Sequence, residues 1–149
     1  MGGGPGGFEE CILKRYPNIH VLGVSLKQSD GCEENLEYHP KLLNHESFLD
    51  CKFTDILKQN DEIIDSIKKI SDDGIDFIIA DGATSYEYET QEDKHFDLLR
   101  AELKIAKETL SLGGSFLLKC FGMFSMETRQ EILKFGSNFQ KVLLFKPSL

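Results

Sequence analysis

Residues 75–82 read IDFIIADG, a compact apolar run that stops at an aspartate and a glycine. A run of this length, introduced by the turn-forming residues Asp72, Asp73 and Gly74, is typical of a strand buried within a sheet. The chain on either side alternates similar short runs with helical stretches. This alternation predicts an α/β fold with a mostly parallel sheet and helices on both of its faces.

The same patterns divide the rest of the chain into elements. Strands are predicted over residues 19–26, 75–80, 115–118 and 141–145, and a short one over residues 50–54. Helices are predicted over residues 7–15, from an Asn60 cap to Ile70, from about 94 to 112, and from a Ser125 cap to about 135. In the second of these helices, one apolar stripe is formed by Ile63, Ile64, Ile67 and Ile70. Gly113 and Gly114 are expected to end the third helix. No linker or repeat is evident, so residues 1–149 are expected to form one domain.

The composition fits a globular domain, with 40% hydrophobic and 28% charged residues. The chain has no run of roughly 18 apolar residues that could span a bilayer, and no basic and apolar leader. We therefore expect a cytoplasmic or nuclear protein without a membrane segment. The four cysteines lack C-x-x-C spacing, which favours reduced thiols over disulfides or a metal site.

The net charge of −8 argues at first against a nucleic-acid partner. The charge is uneven, however: residues 46–97 carry 15 acidic and 5 basic side chains, whereas residues 119–149 carry 5 basic and 2 acidic ones. The C-terminal part, with Lys14, Arg15 and Lys27, could build a surface that faces a polyanion. On charge alone, an ordinary solvated surface is the favoured interpretation.

A glycine-rich segment, GGGPGGF at residues 2–8, leads directly into the first predicted helix. Gly2, Gly4 and Gly7 match the G-x-G-x-x-G pattern of nucleotide-binding loops, in which glycines let a ligand approach the backbone closely. Taken alone, the pattern is equally compatible with a flexible tail.

Two charged residues each end an apolar strand: Asp81 follows IDFIIA, and Lys119 follows GGSFLL. If the strands are parallel neighbours, both side chains emerge at the carboxyl edge of the sheet, where ligands bind in open α/β folds. The pair could then act as an acid–base pair beside the glycine loop. The alternative is a salt bridge at the strand ends, or two solvated charges.

Taken together, these segments resemble the FtsJ-like ribose 2′-O-methyltransferases. GGGPGGFEE is similar to the family's cofactor loop, IIADGA to its catalytic aspartate motif, and GGSFLLKCF to its catalytic lysine motif. The terminal VLLFKPSL resembles the start of a K-P-x-x-S-R segment. Asp81-Gly82 and the residues from Lys119 to Phe124 look more like the mRNA cap methyltransferases within this family.

The resemblance implies a Rossmann-like fold, S-adenosylmethionine as cofactor, and RNA, capped mRNA in particular, as substrate. Asp81 and Lys119 match two members of a catalytic Lys-Asp-Lys-Glu tetrad, and Asp81 would orient both Lys119 and the cofactor. Asp55 matches an acid that meets the adenine, and Glu10 matches an acid in the first helix. The residues implied to hold the methionine part of the cofactor are Gly2, Gly3, Gly4, Pro5, Gly6, Gly7 and Phe8.

The sequence departs from the family pattern at both ends. Only Met1 precedes the glycine loop, and neither the other lysine nor the glutamate of the tetrad has a counterpart. We therefore expect a partial domain without its first and last strands, whose sheet has a gap that a protein partner or further chain segments could fill. Because the second lysine is missing, we also expect weak or no turnover by this chain alone.

Two other functions stay open at this point. One is a catalytically inactive methyltransferase-like fragment that binds RNA, cofactor or a partner protein. The other is an NAD-dependent oxidoreductase that uses the glycine loop, although such an enzyme would need an acid at the end of the second strand, where this chain has Ser25, Leu26 and Lys27.

Overall fold

The computed structural model describes residues 1–2, 4, 6–26, 38–50, 55–83, 91–120 and 123–146. Helices and strands alternate along these ranges, which confirms the predicted α/β class. The elements in chain order are α1 (Gly7–Arg15), β1 (Val21–Gly23), α2 (Pro40–Leu43), β2 (Phe48–Asp50), α3 (Asn60–Ile70), β3 (Ile75–Ala80), α4 (Gln91–Thr109), β4 (Leu110–Leu118) and α5 (Met126–Gly136).

The strands form two parallel pairs. In the first pair β1 lies beside β2, with Val21 opposite Phe48. In the second pair β3 lies beside β4, and α4 makes the crossover between them. A helix is the usual connection between parallel neighbours, because the chain must return to the same end of the sheet. The predicted parallel arrangement is therefore confirmed for these strands.

Met1 and Gly2 lie between the two strand pairs and connect them. The Met1 amine donates to the Ile79 carbonyl at 2.7 Å, and the Asp81 N–H donates to the Met1 carbonyl at 3.1 Å. On the other side, the Gly2 N–H donates to the Val24 carbonyl at 2.8 Å. These hydrogen bonds connect the two strand pairs near the C-terminal ends of β1 and β3.

Beside these bonds, an apolar cavity of about 800 Å³ separates β1 from β3. Its walls include Val21 and Leu22 on one side and Ile75 and Phe77 on the other. Among the described residues the two strand pairs are separate sheets on either side of this cavity, and the expectation of a missing strand stays a prediction.

The main core lies between α3 and α4. Ile63, Ile64 and Ile67 of α3 are buried, which confirms most of the predicted apolar stripe, whereas Ile70 at its end is about half exposed. These isoleucines belong to a buried hydrophobic cluster. The other buried members come from α4 and neighbouring segments: Leu98, Ala101, Ile105, Val24 and Ile56.

The predicted end of α4 is wrong. The helix ends at Thr109, and Gly113 and Gly114 lie inside β4. Residues 111–114 bulge between the pairing of Leu110 with Ile75 and that of Ser115 with Phe77. Gly113 has a φ of +81°, a conformation that suits glycine. The two glycines therefore lie in a β-bulge of the strand, and they do not end the helix.

Other boundaries also differ from the prediction. β1 is limited to Val21–Gly23, and Asn60 is the first residue of α3, with Gln59 at the cap position. The predicted strand at residues 50–54 becomes β2 at Phe48–Asp50, and residues 51–54 lie outside the described ranges. The Ser125 cap of α5 is confirmed, because its hydroxyl accepts a hydrogen bond from the Thr128 N–H at 3.0 Å.

The predicted strand at residues 141–145 is not formed. The side chains from Val142 to Phe145 are largely exposed, and no described strand pairs with this segment. An apolar run becomes a strand only when a neighbouring strand accepts its backbone hydrogen bonds. No helix among the described residues is both long enough and apolar enough to cross a membrane.

Candidate active site

The β3–β4 pair places Asp81 and Lys119 side by side. Ala80 lies opposite Leu118, and the Lys119 N–H donates to the Ala80 carbonyl at 2.9 Å. The next side chains then leave the same edge of the sheet, and the Lys119 Nζ lies 2.6 Å from the Asp81 Oδ1. The Asp81 side chain is 19% exposed and that of Lys119 is 48% exposed, so the pair sits at a surface that a ligand can reach.

The glycine loop begins in direct contact with this pair. Gly2 has a φ of +67°, and a Cβ placed on it would lie 2.5 Å from the Gly82 Cα. Any side chain at position 2 would therefore displace the turn that follows Asp81. The structure thus brings the first predicted loop residue, Asp81 and Lys119 together at one edge.

The rest of the predicted loop is described in part. Gly6 has a φ of +111° at the start of α1, and its missing side chain leaves space that Leu42 fills. Gly7 faces open space, with nothing within 4 Å of a built Cβ. Phe8 is about half exposed and lies on the wall of the cavity between β1 and β3. Gly4 lies in a turn, and the predicted residues Gly3 and Pro5 lie outside the described ranges.

The buried acid of α1 is Glu9, whereas the motif match marks Glu10. Glu10 forms a surface ion pair with Lys14 at 2.7 Å, and that ammonium group lowers the pKa of the Glu10 carboxyl. The Glu9 side chain is buried, and its Oε1 accepts a hydrogen bond from the Tyr38 hydroxyl at 3.4 Å. Burial raises the pKa of the Glu9 carboxyl. The acid that faces the interior in α1 is therefore Glu9, and the role that the resemblance implies for Glu10 stays a prediction.

Asp55 is engaged in its own turn. Its Oδ1 accepts a hydrogen bond from the Leu57 N–H at 3.0 Å, and its Oδ2 lies 3.1 Å from the Lys58 Nζ. Its N–H donates to Gln59 in the cap position of α3. These contacts hold the segment that leads into α3, and the predicted contact of Asp55 with an adenine stays a prediction.

Two residues of α4 belong to the site and were missed by the sequence analysis. Glu102 is only 3% exposed, and its Oε1 accepts a hydrogen bond from the Gly82 N–H at 3.0 Å. Burial raises the pKa of the Glu102 carboxyl to about 7. His95, two turns earlier on the helix, is also buried, and its pKa is lowered first by burial and then by the charge of Lys119.

A signal for both residues exists in the sequence. His95 and Glu102 are seven positions apart, so they lie on one face of α4. The same face carries Leu98, Leu99 and Ile105, which are buried. Polar residues within an apolar helical stripe are uncommon unless they have partners. Their position on this face could therefore have marked His95 and Glu102 as candidate site residues.

The resulting arrangement has a defined chemistry. An ammonium and a carboxylate lie at the end of parallel strands, beside backbone amides and open space at the start of α1. Such a site can orient a hydroxyl group and hold a polar ligand. Within the described ranges, no three histidine, cysteine or acidic residues are grouped so that they could hold a metal ion.

Comparisons with known proteins show the family to which this sequence belongs. The sequence model of the FtsJ-like methyltransferases matches residues 1–149. The chain is also 30% identical, over 151 aligned positions, to a cap-specific mRNA (nucleoside-2′-O-)-methyltransferase of Autographa californica nuclear polyhedrosis virus. The alignment covers 97% of this chain and 55% of the viral protein, so the chain spans about half the length of this relative.

Proposed function

Because this chain belongs to the FtsJ-like methyltransferase family, we propose that it transfers a methyl group from S-adenosylmethionine to a ribose 2′-hydroxyl of RNA. We propose capped mRNA as the substrate class, in line with the activity for which the viral relative is named. The observation that carries the proposal is the Lys119–Asp81 pair, held at 2.6 Å beside the glycine loop.

The residues around the loop fit such a cofactor. The positive φ of Gly2 and the open space at Gly7 allow a ligand to approach the backbone closely. Among the described residues, the buried Glu9 Oε2 has no hydrogen-bond partner. A buried carboxylate oxygen of this kind suits a cationic amino group, such as the one on the methionine part of the cofactor.

When bound, the cofactor supplies an electrophilic methyl group on a sulfonium. The backbone at Gly2 and Gly7 would hold the cofactor, and its methyl group would be the one transferred to the ribose oxygen. Lys119, in its neutral form, takes the hydroxyl proton. Asp81 orients the amine, and alignment of the three reacting atoms supplies much of the rate.

The first test is ligand binding. Ligands that bind the folded state raise its thermal midpoint by mass action. We expect S-adenosylhomocysteine to raise the midpoint and NAD to leave it unchanged. If NAD raised the midpoint and S-adenosylhomocysteine did not, the result would support an NAD-dependent oxidoreductase. Membership of a methyltransferase family argues against that alternative.

The second test is methyl transfer under single-turnover conditions, with radiolabelled S-adenosylmethionine and an excess of protein. We expect label on capped RNA, and none on RNA whose cap-proximal riboses are already 2′-O-methylated. Lys119→Ala should abolish the label, whereas Lys104→Ala, which breaks a surface pair with Asp61, should not. Equal labelling of the premethylated RNA, or by the Lys119→Ala variant, would reject the proposal.

A second candidate is a methyltransferase-like binding protein without turnover. The 2.6 Å contact with Asp81 favours it, because an amine held in an ion pair is less available to a ribose hydroxyl. This candidate predicts that RNA and S-adenosylhomocysteine bind while no label is transferred, and that Lys119→Met weakens RNA binding only modestly.

We also propose that a further strand, from a protein partner or from additional polypeptide, pairs in the cavity between β1 and β3. By alternation from the observed bonds, the N–H groups of Leu22 and Phe77 face this cavity. Unpaired amides exchange rapidly, so both should exchange within minutes in this chain alone. Strong protection of both amides in the isolated chain would contradict the proposal.

A further inference from the structure

We propose that Glu102 is a positioning residue for the Asp81–Lys119 pair, and that it acts by holding the turn at Gly82. The importance of this pair for methyl transfer rests on the proposed function above. The contact between Glu102 and the turn at Gly82 does not depend on that function, because it follows from contacts within the chain.

The contact is specific in its geometry. Glu102 projects from the middle of α4, and its Oε1 lies 3.0 Å from the N–H of the residue that directly follows Asp81. A Cβ on Gly82 would lie 2.6 Å from this oxygen and 3.0 Å from Leu98 Cδ2. The carboxyl therefore reaches the backbone only because position 82 has no side chain. This bond ties α4 to the end of β3 at the site itself.

A carboxyl at this position is costly for packing alone. Glu102 is 3% exposed and lies one turn from the buried residues Leu98 and Ile105. Removing a carboxyl group from water is unfavourable unless it gains partners, and an apolar side chain would fill the same space without that cost. The partner that Glu102 gains is the amide beside Asp81.

Charged groups of the site surround Glu102 on several sides. Lys119 at the end of β4 and the Met1 amine attract its charged form, whereas Asp81 at the end of β3 opposes it. Glu9 of α1 acts on the same Met1 amine. Because burial outweighs these effects and raises the pKa of Glu102 to about 7, the strength of its bond to Gly82 should change near neutral pH.

The Gly82 amide reports this contact directly. In ¹H–¹⁵N spectra of the 149-residue chain, we expect its proton signal to move as Glu102 titrates near pH 7. Glu102→Gln keeps an acceptor oxygen but cannot ionise, so its Gly82 signal should stay constant between pH 5.5 and 8.5. Glu108→Gln is the matched control on the same helix, where Glu108 pairs with Lys68 at the surface, and it should titrate like the original chain.

Binding of S-adenosylhomocysteine tests whether the contact matters to the site. We expect Glu102→Ala to weaken binding at least about tenfold at pH 7, and Glu102→Gln to stay within about threefold of the original chain. If Glu102→Ala unfolds, the comparison of the Gly82 signal in the original chain and in Glu102→Gln still tests the inference. A Gly82 signal that does not titrate in the original chain overturns the inference, and so does unchanged binding by a folded Glu102→Ala variant. Absent methyl transfer with a titrating Gly82 signal would count against the proposed function only.

Discussion

Ala80 lies opposite Leu118 in the β3–β4 pair, and this register sets the distance between the two side chains that follow. A shift by one residue would turn one of them to the other face of the sheet, because side chains alternate along a strand. The bulge at residues 111–114 lies before this point, so the last four residue pairs of the ladder are regular. The position of Lys119 relative to Asp81 is therefore fixed by backbone pairing.

Replacement of Asp81 by asparagine should separate catalysis from stability. The variant keeps the size of the side chain but loses the charge that orients Lys119, so we expect methyl transfer to fall at least about 100-fold. The pair is partly exposed, and such pairs contribute at most about 1 kcal/mol to folding. Transfer and the thermal midpoint should be measured together. Transfer that persists in this variant would remove Asp81 from the proposed mechanism.

Alanine at Gly7 and at Gly82 should have opposite effects. Gly7 is in α1 with open space around it, so Gly7→Ala should leave the free energy of unfolding unchanged or raise it by up to about 1 kcal/mol. It should weaken S-adenosylhomocysteine binding, because the added methyl group would occupy the space proposed for the cofactor. Gly82→Ala should lower the free energy of unfolding by about 1–3 kcal/mol through overpacking against Glu102 and Leu98. Urea unfolding and calorimetric titration measure both effects, and equal destabilisation by the two variants would contradict this reading.

The ionisation of Glu102 should make stability depend on pH. Its pKa is about 7 in the folded chain against an ordinary value of 4.5, so the folded state holds this proton more tightly. Below about pH 4.5 both states are protonated, and above about pH 7 both are ionised. The contribution of Glu102 to the free energy of unfolding should therefore fall as the pH rises through this window, by roughly 2–3 kcal/mol.

Urea unfolding of the original chain and of Glu102→Gln at pH 5 and pH 8 measures that contribution. Relative to the original chain, Glu102→Gln should have a higher free energy of unfolding at pH 8 than at pH 5. Glu9, whose pKa is also raised by burial, acts in the same direction and leaves a residual slope in both proteins. A difference that is the same at both pH values would show that Glu102 is not held protonated.

Ile105 should be a major determinant of stability. It is 1% exposed and is packed in the cluster between α3 and α4. Ile105→Ala should lower the free energy of unfolding by about 2–5 kcal/mol through lost burial and the cavity left behind. Leu112 is fully exposed in the bulge of β4, so Leu112→Ala is the matched control and should change stability by less than about 0.5 kcal/mol. Comparable losses in the two variants would mean that the cluster is not the main core.

The parts of the fold that could be predicted are those set by local pattern. The run IDFIIAD identified both β3 and the position of Asp81, because an apolar strand that stops at a charge is visible in the residues alone. The stripe of isoleucines identified α3 for the same reason. The pairing of Asp81 with Lys119 followed once the two strands were taken as parallel neighbours.

The parts that could not be predicted depend on tertiary contacts. Gly113-Gly114 looked like a helix end, and only the pairing of Leu110 with Ile75 reveals that these glycines lie in a strand. The sequence analysis did not identify Glu102, because its partner, the Gly82 N–H, comes within reach only in the folded chain. Residues 141–145 looked like a strand, and no described neighbour accepts their hydrogen bonds.

Helix α4 carries core and site residues on one continuous surface: Ile105 is packed inside, Glu102 accepts a hydrogen bond from the Gly82 N–H, and the charge of Lys119 acts on the buried His95. Damage to its packing will therefore also disturb the reacting groups, and an activity screen will record many folding defects on this helix as losses of chemistry. Thermal midpoints must accompany every such screen. A substitution on α4 reports on the reaction itself only where the midpoint is preserved while transfer is lost.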